Sequence, residues 1–241
     1  MNDKAKVWGI LGGVSLLTIS LIYLFSKSKK QKSSFKKNLV KIANEEFEAW
    51  NKNGRVKEGS QDKLPRLRKY WEEGAGIKKN DNYYINEAWS SAFISYLMKK
   101  AGAGDDFSYS KSHSVYIRDA IKNRKEKNNK KFKGFKPEEV TINVGDLVCY
   151  PREKGVNYDT DYAYKSHCDL ITQISGNVAT GMGGNVSDSV SKKTYTLSNG
   201  KIDKKKSSGV FVVVKNLKWL KYKQIIKKQG FLRRAFFYLK K

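Results

Sequence analysis

Three residues far apart in the chain, Ser90, His167 and Asn185, are of the types an acyl-transfer site needs. They are a hydroxyl nucleophile, an imidazole to take its proton, and an amide to hold that imidazole in one tautomer. Ser90 stands in "EAWSSAFISYLMKKAG" at the start of a segment with helical spacing. His167 heads the β-rich run "HCDLITQI", and Asn185 follows paired glycines in "GMGGN". Each type also has an ordinary structural use: a first-turn serine caps a helix, a lone histidine is a satisfied structural residue, and Asn after Gly-Gly marks a turn. The chain has only two histidines, His113 and His167, which excludes any mechanism that needs two from one helix. There is no HExxH, no P-loop and no strand followed by GxGxxG. Cys149 and Cys168 make no CxxC pair, so neither a metal nor a cofactor is expected.

A helix must present the serine, and strands must present the other two. Trp89, Phe93, Tyr96 and Leu97 recur at helical spacing and Gly102 supplies a stop, which predicts a central buried helix. Residues 39–55 predict an amphipathic helix, and a short helix is expected between Pro65 and Gly74. "SHSVYIRDAIKNRKEKNNKKFKGFK" predicts one more helix running into a mobile lysine- and asparagine-rich loop. After Val140 the pattern changes to short β-rich runs separated by Gly, Asn, Asp and Ser. Helices first and strands second predict an α+β fold, with the helices packed on one face of a small, mainly antiparallel sheet. Cys149 and Cys168 then fall on neighbouring strands as core residues, with a disulfide between them as the alternative. His167 and Cys168, adjacent on one strand, must point to opposite faces, so Cys168 does not serve His167 as a nucleophile.

With 241 residues, 39% of them apolar, the chain suits one compact domain with attachments. Val7 to Phe25 is a run of 19 uncharged residues, long enough as a helix to cross a bilayer once. No small-x-small cleavage pattern follows it, which favours an uncleaved anchor over a signal peptide. The organisation expected is an anchor over 1–25, a basic linker over 26–37, the domain over 38–216 and a basic tail over 217–241. Lysines cluster after the span, which by the positive-inside rule puts the domain in the cytoplasm, although in a chain this rich in lysine the flanking bias carries less weight than usual. Residues 215–241 carry ten basic residues and no acidic one among large apolar side chains. Such a segment either lies on an anionic membrane or packs on the domain with its lysines outward. The formal charge of +26 attracts any polyanion, but a nucleic-acid partner rests on that charge alone.

The motifs, taken in order, resemble the CHAP domains, papain-like cell-wall amidases and endopeptidases. "AWSSAFISYLMKKAG" is similar to their nucleophile helix, "VGDLVCY" to their Gly-Asp strand, "SHCDLIT" to the strand headed by the catalytic histidine, and "GGNVSDSV" to their Gly-Asn segment. With "LRKYW" and "SKSHSVYI" added, the set resembles more closely still an uncharacterised bacterial family related to CHAP, with Trp-Ser where CHAP has Trp-Cys. The resemblance covers roughly residues 38–216 and implies a papain-like architecture. It implies Ser90 as nucleophile, His167 as base and Asn185 as the orienting residue. Trp89, His113, Tyr84, Tyr164 and Gly184 are the expected substrate-side neighbours, and the partner implied is peptidoglycan or a wall peptide. Serine in place of cysteine leaves two readings. One is a serine hydrolase, since a hydroxyl is too weak an acid to be ionised by a helix dipole and needs a base during attack. The other is a peptidoglycan- or protein-binding module that has lost its chemistry.

Overall fold

A computed structural model describes residues 35–51, 57, 59–60 and 62–218. The expected membrane span at 7–25, residues 26–34 of the basic linker and all but the first two residues of the expected tail lie outside the described residues. Among the described residues no helix is long and apolar enough to cross a membrane.

The first described helix, α1, is helical throughout residues 35–51, already formed four residues ahead of the expected start at 39, and buries Leu39, Ala43 and Trp50. Next comes α2 (Leu64–Lys69), with Pro65 in its first turn, which runs on into a wider π-helical turn over Tyr70–Gly74. Asn80 caps α3 (Asp81–Asn86) by accepting from the Tyr83 N–H. The central helix α4 (Ser90–Ala101) is buried along almost its whole length and ends on Gly102, whose left-handed conformation suits glycine. α5 (His113–Lys125) follows.

The strands form one antiparallel sheet in the order β1-β7-β2-β3-β4-β5-β6. They are β1 (Phe132–Phe135), β2 (Leu147–Pro151), β3 (Ser166–Ser175), β4 (Val178–Gly183), β5 (Ser191–Ser198), β6 (Lys201–Ile202) and β7 (Val212–Asn216). The fold is therefore α+β, with helices against an antiparallel sheet. Side-chain alternation divides the core. Leu147, Cys149, Cys168 and Leu170 face the helices, whereas Val148, Ile171, Val213 and Tyr195 pack with Leu197 and Val210 on the other face.

β1 corrects the expected mobile loop. Its Phe132 is buried against Phe107, with ring centroids 5.1 Å apart, and it pairs with Asn216 of β7. A single aromatic anchor outweighs the lysines around it, and Lys133, on the same edge strand, satisfies its amine by donating to the Asn128 carbonyl at 2.9 Å.

Cys149 and Cys168 stand opposite each other on β2 and β3 and are bonded, with Cα atoms 4.1 Å apart and both residues fully buried. The bridge closes a loop with a sequence separation of 19 residues. On loop-closure entropy, replacing both cysteines by alanine should cost about 3 kcal/mol. A urea titration of the double variant checks this, and an unchanged midpoint would mean that the strand pairing alone holds this register.

Candidate functional site

Ser90 is the first residue of α4, and its hydroxyl does not cap the helix. Ser90 Oγ lies 2.7 Å from Nε2 of His113, the first residue of α5. The other ring nitrogen of His113, Nδ1, is hydrogen-bonded to the Tyr116 hydroxyl one turn along the same helix. Ser91 Oγ, on the next residue of α4, donates to the Ser110 carbonyl at 2.9 Å. With the proton of a neutral His113 on Nδ1 and shared with Tyr116, Nε2 holds the lone pair that faces the Ser90 hydroxyl, the tautomer that a general base requires.

Ser90, His113 and Tyr116 are all buried, at 9%, 4% and 2% exposure. Burial, reinforced by the nearby His167 ring and the Arg152 guanidinium, holds His113 well below the usual histidine range. Its imidazole is neutral at pH 7 and free to take a proton. Burial pushes the Tyr116 phenol well above its ordinary range, so it stays a neutral link.

His167 lies beside this pair, with its ring centroid 5.1 Å from that of His113. Its Nε2–H donates to Asp169 Oδ1 at 3.0 Å, and the Tyr195 hydroxyl donates to Asp169 Oδ2. Residues 167 and 169 share one face of β3, and Tyr195 comes from β5. Glycine makes room for them at the end of β4. A Cβ on Gly183 would sit 2.2 Å from Asp169 Oδ1 and 2.7 Å from His167 Nε2.

A cleft of about 440 Å³ opens over these groups, lined by Ser90, His113, His167, Asn185, Arg152 and Tyr164 among others. The three residues assigned to catalysis from the sequence therefore meet in one cleft, but their pairing differs. The hydrogen bond from Ser90 goes to His113 and not to His167, because α5 starts directly beside the start of α4. The partner of His167 is Asp169 and not Asn185, because a residue two along the same strand is already in reach. Asn185 adopts a left-handed conformation, φ 53°, in the turn after β4.

Among the expected substrate-side residues, His113 and Tyr164 do line the cleft. Trp89 instead is fully buried in the aromatic core, stacked 5.0 Å from Trp50 and 5.6 Å from Tyr70. Tyr84 is buried as well; its hydroxyl donates to Glu72 and accepts from the Lys79 N–H. Gly184 serves packing, since a Cβ there would lie 2.6 Å from Phe93 Cγ and 2.7 Å from the Trp89 ring. Asp169, Tyr195 and Tyr116 were not anticipated. Asp169 had a readable signal, as the next same-face residue after His167, whereas nothing local marks Tyr195.

The profile of a family described as "Uncharacterized protein conserved in bacteria (DUF2272)" matches residues 50–221. No curated protein and no solved structure matches the chain.

Proposed function

The chain belongs to that uncharacterised bacterial family, and from the geometry of its cleft we propose that it is a serine-dependent amide hydrolase of papain-like architecture acting on peptidoglycan. The observation that carries this reading is the 2.7 Å contact between Ser90 Oγ and Nε2 of His113, whose buried ring is held neutral. Ser90 Oγ attacks the amide carbonyl as its proton passes to His113 Nε2. The first N–H groups of α4, a helix with no side-chain cap, lie beside Ser90 and stabilise the oxygen that becomes negative. His113 then protonates the leaving amine, and water, deprotonated by the same imidazole, releases the acyl group from Ser90. His167, held by Asp169 and Tyr195, places a second imidazole next to the first and supports the developing positive charge through that carboxylate.

Peptidoglycan as substrate rests on the likeness of the ordered motifs to CHAP domains. The buried Cys149–Cys168 disulfide favours an oxidising compartment, and with it the envelope side of the membrane over the side indicated by the flanking lysines. The alternative, a binding module without chemistry, is favoured by the serine at a position where the CHAP pattern has cysteine.

Covalent labelling tests the proposal. A fluorophosphonate probe incubated with the full chain should leave one phosphonyl adduct on the peptide containing Ser90, slowly or not at all in His113→Gln. Peptidoglycan incubated with the same protein should gain new amino termini, and Ser90→Ala should not produce them. Equal release by Ser90→Ala removes Ser90 as the nucleophile, and release by neither protein, with no adduct on Ser90, favours the binding module.

A further inference from the structure

We infer that the domain stands on an anionic membrane by one end, with residues 219–241 as a second lipid contact beside the anchor, and that the cleft opens at the opposite end, away from the bilayer. This placement does not depend on whether Ser90 is a nucleophile. The chain enters and leaves the domain at one place. Lys218, the last described residue, has its Nζ 5.0 Å from the ring centre of Phe35, the first described residue. A Cβ on Gly145 would meet both Asn216 Nδ2, at 3.4 Å, and Lys36 Cγ, at 3.9 Å, so the end of β7 and the start of α1 flank one turn. Only residues 26–34 separate Phe35 from the expected span, and even fully extended they reach about 30 Å. After Lys218 the charged residues are all basic and stand among Trp219, Ile225, Phe231 and Phe236.

Three helices fix where the cleft lies relative to that end. Lys218 Nζ donates to the Gly102 carbonyl at 2.9 Å, just past the last residue of α4, whereas Ser90 in the cleft is the first. The 12 residues of this helix put the two about 18 Å apart. α1 starts at Phe35 and brings Trp50, near its other end, into a stack with Trp89 beside Ser90. α5 starts with His113 in the cleft, and its Asn123 donates to the carbonyl of Phe132, which pairs with Asn216. Lys36, Lys37, Lys99, Lys100 and Lys130 are exposed around the shared entry and exit, which suits anionic headgroups. The cleft lining is basic as well, so lysine density alone does not choose the end; the two chain connections do. A tail folded back on the domain would need an apolar face to receive it. Among the described residues the large apolar side chains left exposed are Val115, Tyr162 and Val178. They stand singly on the first turn of α5, on the β2–β3 loop and on β4, three strands from β7. A bilayer interface supplies the continuous apolar surface that these do not.

The test uses the full chain in phosphatidylcholine vesicles with or without phosphatidylglycerol, both carrying a nitroxide on some of the headgroups. Cys149 and Cys168 are bonded, so a membrane-impermeant thiol dye marks only an introduced cysteine. One variant is Lys100→Cys, in the last turn of α4; the other is Tyr162→Cys, two residues before Tyr164 of the cleft. With phosphatidylglycerol present, the Lys100→Cys dye should be quenched at least about threefold more than the Tyr162→Cys dye, given ends about 18 Å apart. Lys227→Glu, Lys228→Glu and Arg233→Glu together should bring the two close to equal, as should omission of phosphatidylglycerol. Lys204→Glu, Lys205→Glu and Lys206→Glu, the same change of charge in the β6–β7 loop, should leave the ratio unchanged. Equal quenching on anionic vesicles, or stronger quenching of the Tyr162→Cys dye, overturns the orientation. A ratio that survives the tail variant or the neutral vesicles, or that the loop variant lowers as much, overturns the contact between tail and anionic lipid. Loss of the ratio on adding single-stranded RNA at matched phosphate assigns the tail to nucleic acid and overturns that contact too.

Discussion

His113→Gln should lower kcat by about a thousandfold, within the 10²–10⁴ range of a lost general base, while His167→Gln costs roughly a tenth as much in rate. The difference follows from contact. His113 Nε2 touches Ser90, the proposed nucleophile, and His167 reaches it only through the other ring. In the proposed mechanism Ser90 and His113 act as a unit, so adding His113→Gln to Ser90→Ala should cost nothing further. Thermal unfolding of each variant separates loss of chemistry from loss of fold. The reverse order, with His167→Gln the more damaging, would return the base to the strand histidine and reduce His113 to a positioning residue. The pH profile is a second readout. A protonated His113 cannot accept from Ser90, so activity is lost as pH falls through its pKa. Burial sets that pKa well below 6.5, so the acid limb of kcat/KM should lie well below pH 6.5. Arg152→Gln removes one of the charges that disfavour the protonated ring, so it should move that limb upward.

Asp146→Ala should destabilise the fold by about 3–5 kcal/mol, the cost of leaving one member of a buried ion pair alone. Asp146 is 1% exposed, and its carboxylate accepts from the Asn143 N–H at 2.7 Å, from the Asn216 N–H at 3.0 Å and from Lys215 Nζ. Lys215 is 5% exposed and also donates to the Thr141 carbonyl at 2.7 Å. Removal of the carboxylate strands a buried ammonium and two backbone donors at the point where β2 and β7 pair. Asp146→Asn, which keeps an acceptor, should lose less, and Asp146→Ala with Lys215→Met should recover part of the loss, because the stranded charge is gone. Urea denaturation gives the values, and a loss under about 1 kcal/mol for Asp146→Ala would show that water or rearrangement satisfies Lys215. The Gly-Asp of "VGDLVCY" is thus accounted for as a strand-entry device outside the cleft: Gly145 turns with φ 93° and Asp146 fastens the turn to the neighbouring strand.

Much of the scaffold was legible because it depends on local pattern. The 3.6-residue spacing of Trp89, Phe93, Tyr96 and Leu97 marked α4, and the shift to alternating β-rich runs after Val140 marked the strands. The opposite facing of His167 and Cys168 needed only the two-residue period of a strand, and the structure shows Cys168 in the core beneath the helices and His167 at the cleft. β1 was missed because its evidence is not local: "FKGF" in a lysine-rich stretch becomes a strand only when β7 offers its edge and Phe107 offers a surface for Phe132.

The sequence by itself determined the α+β class, most of the element types, and that Ser90, His167 and Asn185 stand at or beside element ends. Which imidazole faces Ser90 was decided only in three dimensions, by the start of α5 lying against the start of α4. The same holds for the carboxylate of the second histidine and for the Cys149–Cys168 bond, which depend on the β2–β3 register and on β5 carrying Tyr195 beside Asp169. The physical reason is range. Helical and strand periods act over a few residues and leave their mark in the order of side chains, whereas a hydrogen bond between residues 23 or 26 positions apart is selected by packing, and packing is a property of the whole core.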